Sequence, residues 1–343
     1  MAVAIQKAVL GTKVKVRSPK PPEQYISTWR EDDVIDARPA VAQVVVMNSL
    51  GCIYEKSAGC SMCGYYTETL PKRPPAEAYI EQIRRAVAQA PEGAEVLKIY
   101  TSGNFLDERE VQREAQLAIV KLAAGKYKRL LVESRPEFVT EDRVRPLLGN
   151  GIVLEIAFGL ESANDRVLDE TVNKGNTADE NREGALRARA YGARVKSYLL
   201  LKPPFLTEAE SIDDCVEGAV FAAPFSDTVS VNPMNIHKGT LVERLFYDGA
   251  YRPPWLWSVV EVMTRAIPRM GGAARLMSAP TGASTRRGSS NCGKCDAQVL
   301  AAIAKVSATQ DLSHFRELRC SCRARWRWEF ELAPLAPTAA PLS

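Results

Sequence analysis

Apolar and polar residues alternate along most of this chain in short blocks. Six blocks read as buried strands: AQVVVM at 42–47, VLKIYT at 96–101, RLLVE at 129–133, IVLEIAF at 152–158, VKSYLLL at 195–201 and TVSVN at 228–232. Helical stretches fall between them. Pro75 opens one that runs to about Ala88, and Asp107 with Glu110 caps the next. Thr140 starts a short one, Ser162 with Asp165 opens another, and Thr207 with Glu210 caps a helix reaching about Ala222. Strand and helix alternating six times predict an α/β fold, a parallel sheet curled into a partial (βα)6 barrel with its helices outside. Chemistry in such sheets gathers at the carboxyl ends of the strands. Those ends are polar or Gly-rich here, with Asn48 to Cys52, Ser102-Gly103-Asn104, Glu133-Ser134-Arg135, Glu161-Ser162, Lys202 and Asn232 to Asn235.

Beyond Trp255 the rhythm changes. A helix carrying Trp255, Val259, Val260 and Met263 packs on the barrel, and a short run at 274–277 pairs with its edge. A Gly/Ser/Thr-rich loop leads to a helix at 296–306, and the alternation in RARWRWEFEL reads as a strand with Trp326 and Trp328 on one face. The chain thus divides into a basic leader (1–40), the barrel (41–250), a C-terminal extension (251–332) and a Pro/Ala-rich disordered tail (333–343).

Charge adds a partner. The window 265–328 holds twelve Lys and Arg against three Asp and Glu, in a chain whose net charge is only +4. A basic module on a mildly acidic body points to a polyanion, nucleic acid first, the plainer reading being a solvated basic surface. No run of eighteen apolar residues exists and the lysine-bearing N-terminus lacks a signal-peptide core, so no membrane association and a cytoplasmic location are expected.

The eight cysteines fall into groups. Cys292, Cys295, Cys320 and Cys322 form C-x2-C-x24-C-x-C, four thiolates that can close a tetrahedral site, most simply Zn2+. His314 is a possible substitute for Cys320 or Cys322. Cys52, Cys60 and Cys63 form C-x7-C-x2-C with no fourth ligand nearby in sequence. Three thiolates leave one corner of a four-iron cubane without a protein ligand. Recruitment of His237 to make a zinc site of this group is the alternative. Cys215 stands alone on a helix and reads as a small buried hydrophobe.

The segment GCIYEKSAGCSMCGYYTET resembles the cluster loop of radical S-adenosyl-L-methionine (SAM) proteins. The usual spacing there is C-x3-C-x2-C; a first gap of seven looks like the branch with enlarged gaps that includes tRNA enzymes similar to the Elongator catalytic subunit. TSGNFLDERE, ESRPEFVTEDR, FGLESANDRVLDETVNKG and the late CGKC with CSCRARWRWEFEL are together similar to the archaeal radical SAM subunits of archaeosine synthase, over roughly residues 41–332. The resemblance implies a [4Fe–4S] cluster on Cys52, Cys60 and Cys63, and SAM on the open iron. It implies a lyase that breaks the lysine carbon–nitrogen bond of a lysine-bearing 7-deazaguanine in the tRNA D-loop. Its partners would be tRNA, a lysine-transferring subunit, and an electron donor that no motif identifies.

Met62 stands where the family contacts adenine, and Ser102-Gly103-Asn104 where it has its GGE-like segment, of which only the Gly is retained. Glu133, Arg135, Glu161 and Ser162, at the carboxyl ends of the third and fourth expected strands, are further candidate SAM contacts, Glu161 for SAM or substrate. Arg135 also suits an RNA phosphate or a structural ion pair, and Ser162 suits a helix cap. Lys202, Asn232 and Asn235 are rim candidates, and Tyr65 and Tyr66 either cover the cluster or touch SAM. Two other readings stay open: a radical SAM enzyme of a different tRNA modification, and a non-catalytic zinc-containing protein that binds RNA.

Overall fold

The computed structural model describes residues 2–14 and 20–332; the expected tail at 333–343 lies outside them. One eight-stranded sheet organises the chain: β1 (Ser27–Ile35), β2 (Arg38–Val46), β3 (Ala94–Tyr100), β4 (Arg129–Glu133), β5 (Val153–Glu161), β6 (Arg194–Leu201), β7 (Thr228–Pro233) and β8 (Arg275–Met277). Their order in the sheet is their order in the chain. β1 and β2 form an antiparallel hairpin, and every later pairing is parallel. The six expected strands are β2 to β7, and the short edge strand β8 also forms. β1 falls within the expected leader. Its sequence, STWREDDVI, has no apolar run to announce a strand.

Period-two alternation gives the sheet two unlike faces. Leu97, Ile99, Leu130, Val132, Ile156, Val195, Leu199 and Val231 belong to a large apolar cluster. It is shared with the helices Ala76–Ala88, Arg113–Ala124, Glu208–Ala222 and Leu256–Met270, through Ile83, Ile119, Val216 and Val259 among others. Cys215 is fully buried in that layer, as its lone position suggested. The intervening residues Lys98, Arg129, Glu133, Glu155, Lys196 and Tyr198 form a polar inner face.

That inner face is neutralised from β1. Asp33 binds Lys98 at 2.7 Å and Arg129 at 2.7 Å, and Glu31 also binds Lys98, at 3.1 Å. Asp36, in the turn between β1 and β2, reaches Arg194 at the start of β6 at 3.1 Å. In a flat sheet β2 and β6 would stand about 19 Å apart at normal strand spacing. The contact therefore records the curl of the sheet, and the hairpin bridges the amino end of the barrel.

Helix starts follow the expected chemistry in part. Thr207 and Glu210 form a capping box, as do Thr177 and Glu180 on the helix Ala178–Tyr191. Two expected caps are corrected. Asp107 ion-pairs with Arg109 in a loop and the helix begins at Arg113, because Glu110 is drawn to the cysteine loop. Asn164, not Ser162, caps the turn Asp165–Val167. The expected strand in RARWRWEFEL is instead the helix Cys322–Leu332. Its buried side is spaced by four: Cys322, Trp326 and Phe330. Trp326 stacks on Phe330 and donates to Ser258 Oγ at 2.8 Å. A strand there would have needed a sheet edge, and the helix packs on its neighbours instead.

Asp33→Asn removes the charge facing Lys98 and Arg129. The expected cost is about 3 kcal/mol, read as a lowered urea midpoint at pH 7. Burial opposes ionisation of Asp33, but Lys98, Arg129 and Lys196 hold its carboxyl down to about 2. A depressed folded-state value stabilises above the ordinary carboxylate range, and the contribution is lost as pH falls through the folded value. The wild type should lose stability between pH 3.8 and about 2, and the variant should lose less across that window.

Candidate active site at the mouth of the barrel

The cysteine loop leaves β2 at the carboxyl end of the sheet and is fastened at several points. Its first turn is held by the β3 end: the Cys52 N–H donates to Ser102 O at 3.1 Å and the Ile53 N–H to Glu110 Oε1 at 2.8 Å. Glu110 also accepts from the Asn104 amide side chain at 2.8 Å and from the Asn104 backbone N–H. Burial pushes the Glu110 carboxyl up to about 7, against those hydrogen bonds. Ser102 is left-handed at φ 56. Gly103 is required by contact, since a Cβ there would lie 2.8 Å from the Cys52 nitrogen. Asn104 points its amide at Cys52 Sγ, 3.8 Å away, while its oxygen accepts from the Arg135 N–H at 2.9 Å.

The far side of the loop rests on the segment after β5. Ser61 N–H donates to Val172 O at 2.8 Å, Asn173 Nδ2 to Gly59 O at 2.7 Å, and Tyr54 OH to Asn173 O at 2.9 Å. Beneath it Glu161 and Lys174, both buried, pair at 2.8 Å. Burial opposes the charge on Lys174, but the Glu161 carboxylate keeps it protonated. Arg135 lies 4.6 Å over the Tyr54 ring and donates to Lys174 O and Gly175 O. Arg135 also pairs with Glu137 at 2.6 Å, so a large part of its hydrogen-bonding capacity is spent within the protein.

Burial, then the Glu110 carboxylate, pushes the Cys52 thiol up to about 11, and burial raises Cys60 and Cys63 as well. The three sulfurs influence one another electrostatically, yet they are not gathered tightly enough for one ion. Among the described residues, only the C-terminal cysteines bring three or more ligand atoms within 4.8 Å of one another. Three thiols that are near but apart suit ligands of separate irons in one cluster, and a single zinc ion would need them closer. His237 does come to this loop, edge-on to Tyr65 at 4.7 Å and against Gly64, but it is not gathered with the cysteines.

The other sequence candidates occupy varied places. Met62 packs among Leu200, Met234 and Ile236 beside Cys60. Tyr65 is exposed and Tyr66 bonds Gly239 O at 2.8 Å. Ser162 donates to Asp214 Oδ1 at 2.6 Å and so is engaged by the helix Glu208–Ala222. Lys202 is tied to buried Glu208 at 2.5 Å. Asn232 accepts from Ser230 Oγ at 3.1 Å, and Asn235 lies against Gly282. Glu133 remains at the end of β4, facing inward. Four residues that shape the site, Tyr54, Glu110, Asn173 and Lys174, were not singled out as such from the sequence, although all stand in quoted motifs.

The C-terminal cysteines converge. Cys292 and Cys295 are 3.9 Å apart, Cys292 and Cys320 3.6 Å, and Cys295 and Cys322 3.6 Å, sulfur to sulfur. Four thiolates at zinc–sulfur bond lengths would stand about 3.8 Å apart. Trp257 Nε1–H donates to Cys322 Sγ at 3.3 Å and Asn291 Nδ2–H to Cys295 Sγ at 3.5 Å, the outer-sphere donors that thiolate ligands take. Backbone N–H groups of Lys294 and Cys295 hold the Cys292 thiol down to about 7. His314 is not in the group. The set fits one tetrahedral metal ion. Cys292→Ser should abolish metal binding there, loosen the helix Cys322–Leu332, and leave iron–sulfur assembly intact. Metal analysis and proteolysis of the purified variant check this.

The profile of the radical SAM superfamily matches residues 57–215. The chain is 37% identical to archaeosine synthase subunit beta of Methanosarcina acetivorans over 336 residues, 96% of this chain and 97% of that protein. It is 38% identical to archaeosine synthase subunit beta of Thermococcus kodakarensis over 313 residues, 88% of this chain and 96% of that protein. Among solved structures it is similar to Elp3 of Methanocaldococcus infernus, at 16% identity and a TM-score of 0.46, over 59% of this chain and 52% of that one. With such identity along nearly its whole length, the chain belongs to the radical SAM superfamily and, within it, to the family of archaeosine synthase subunit beta.

Proposed function

We propose that this chain breaks the carbon–nitrogen bond of a lysine attached to 7-deazaguanine in tRNA, leaving the formamidine of archaeosine. The relatives' name implies a second subunit, here taken as the one that attaches the lysine. The observation that supports the reading best is the loop of Cys52, Cys60 and Cys63, fastened over the mouth of a barrel with a polar inner face. A [4Fe–4S] cluster would be held by Cys52, Cys60 and Cys63 and, when bound and reduced, would supply the one electron for reductive cleavage of SAM and so the hydrogen-abstracting chemistry that starts the lysine carbon–nitrogen cleavage. The protein's task is to hold and shield. Glu110 and Asn104 fix the first cysteine, and Ser61, Asn173 and Tyr54 fix the loop carrying the others. Ser102, Gly103, Asn104, Arg135 and Glu161 frame the mouth where SAM would lie, with Met62 on its apolar side. A non-catalytic zinc protein that binds RNA would leave the three mouth thiols without a task.

RNA is held, in this reading, by the extension. The helix Cys322–Leu332 presents Arg325, Arg327 and Trp328 outward, and Arg319 is exposed beside it. Arg323 differs, because it lies 5.2 Å over the Trp257 ring. Phosphate contacts of this kind carry affinity that falls steeply with salt, and an exposed indole suits base stacking.

Anaerobically purified protein should be brown. Cys52→Ala, Cys60→Ala and Cys63→Ala should each abolish formation of 5′-deoxyadenosine from SAM, while Cys215→Ala retains it. Full activity in Cys52→Ala would sink the assignment. Replacing Arg319, Arg325 and Arg327 together by Gln should weaken tRNA binding and flatten its salt dependence by about one unit of log–log slope per lost phosphate contact. Titrations of tRNA across a salt series measure this, and equal slopes would place the RNA elsewhere.

A further inference from the structure

Most charges on the inner face of the barrel are paired. Lys98 has Glu31 and Asp33, Arg129 has Asp33 and Glu155, and Lys174 has Glu161. Two are not. Lys196 on β6 is only 5% exposed, and Glu133 ends β4. Among the described residues neither side chain takes part in an ion pair or a hydrogen bond. Lys98, and then the carboxylates of Glu155, Asp33 and Glu31, act on Lys196 only at a distance, and the Tyr198 ring lies 5.4 Å from its nitrogen. An unpaired buried charge costs several kcal/mol, so the buried Lys196 and the partly buried Glu133, of opposite sign on one face of the sheet, need a reason.

The sheet register places them together. Glu133 is paired in register with Ala157 on β5, and Ala157 with Lys196 on β6. Their backbones are two strand spacings apart, about 10 Å, with only a methyl group between. Both side chains are long enough to meet across Ala157, but they do not. Burial disfavours the charged form of each, pushing Glu133 up to about 8 and Lys196 down to about 8, so an opposite charge on a ligand would favour ionisation of both. Nearby, the Tyr198 hydroxyl is buried beside that of Tyr100. A carboxylate and an ammonium, separated across a small residue and beside two buried tyrosine hydroxyls, complement a group that carries both charges on one carbon.

We propose that Glu133 and Lys196 clasp the ammonium and carboxylate of an α-amino-acid head group, the free end of the substrate's lysine. This rests on the function proposed above, in which the lysine is attached through its side-chain nitrogen and keeps both groups free. Binding there would anchor the far end of the lysine in the barrel and leave its side-chain carbons toward the mouth. SAM carries an amino-acid head of the same chemistry, and the experiment separates the two.

The test uses the cluster-loaded enzyme with saturating SAM and lysine-bearing tRNA, with N6-(1-iminoethyl)-L-lysine as competitor. Three relatives of that compound are compared with it: the decarboxylated one, the deaminated one and the D-enantiomer. The L-compound is expected to inhibit about tenfold more tightly than either truncated one and more tightly than its enantiomer. Lys196→Met should erase the preference over the decarboxylated compound alone, and Glu133→Gln the preference over the deaminated one alone. If either variant fails to fold, the wild-type series still decides. Turnover of lysine-bearing tRNA without discrimination among the four compounds overturns the clasp and leaves the lyase reading standing. SAM cleavage without turnover of that tRNA overturns both. Unchanged preferences in Lys196→Met, together with a raised SAM requirement, would assign the residue to SAM and overturn the proposal.

Discussion

Cations line the inside of this sheet, and the carboxylates that answer them come chiefly from one hairpin. Lys98 and Arg129 lie on neighbouring strands, and Asp33 of β1 binds both. Without β1 the inner face would bury positive charge with little to offset it, and a curled sheet offers no water to do so. The barrel's polar floor, the curl reported by Asp36 and Arg194, and the placement of every later strand end all follow from that neutralisation. Apolar packing under the helices supplies most of the cohesion, but it is the same on any sheet of this class. The hairpin charges are what allow the inside to be polar.

The mouth depends on a second, smaller constraint. A loop with three thiols has to be held at both ends if its sulfurs are to meet separate atoms of one cluster. Glu110 grips one end through two backbone N–H groups and the Asn104 side chain. The segment 171–175 grips the other, with the ion pair of Glu161 and Lys174 directly below. Both grips are made by parts of the chain that leave the sheet after β3 and β5, the strands on either side of β4, so the loop is positioned by the sheet itself.

Much of this was legible in the residues. Strands with apolar runs, such as 96–101 and 195–201, were readable because one face or both are buried. The two cysteine groups were readable because metal chemistry dictates their spacing. β1 was not, because its inward side chains are acids whose partners lie in distant strands, and a local reading takes them for a solvated stretch. Glu110 was read as a helix cap for the same reason: its spacing to Asp107 is correct for a cap, but its partners are in the cysteine loop. RARWRWEFEL satisfies a period of two and a period of four at once, and packing of Trp326 against Ser258 decides between them.

The hairpin also imposes an order in time. Asp33 is 96 residues from Arg129, and Asp36 is 158 residues from Arg194. At ribosomal speeds of about 5–20 residues per second, the turn is made roughly 10–30 s before its cation exists. The acids of β1 must wait in water during that time, which suits a strand too polar to collapse early. The barrel's amino end is thus sealed late although it holds the first strand, and contacts of such sequence separation slow folding. A chain carrying a charge reversal in this hairpin would be caught with an open, strand-edged barrel for as long as synthesis lasts.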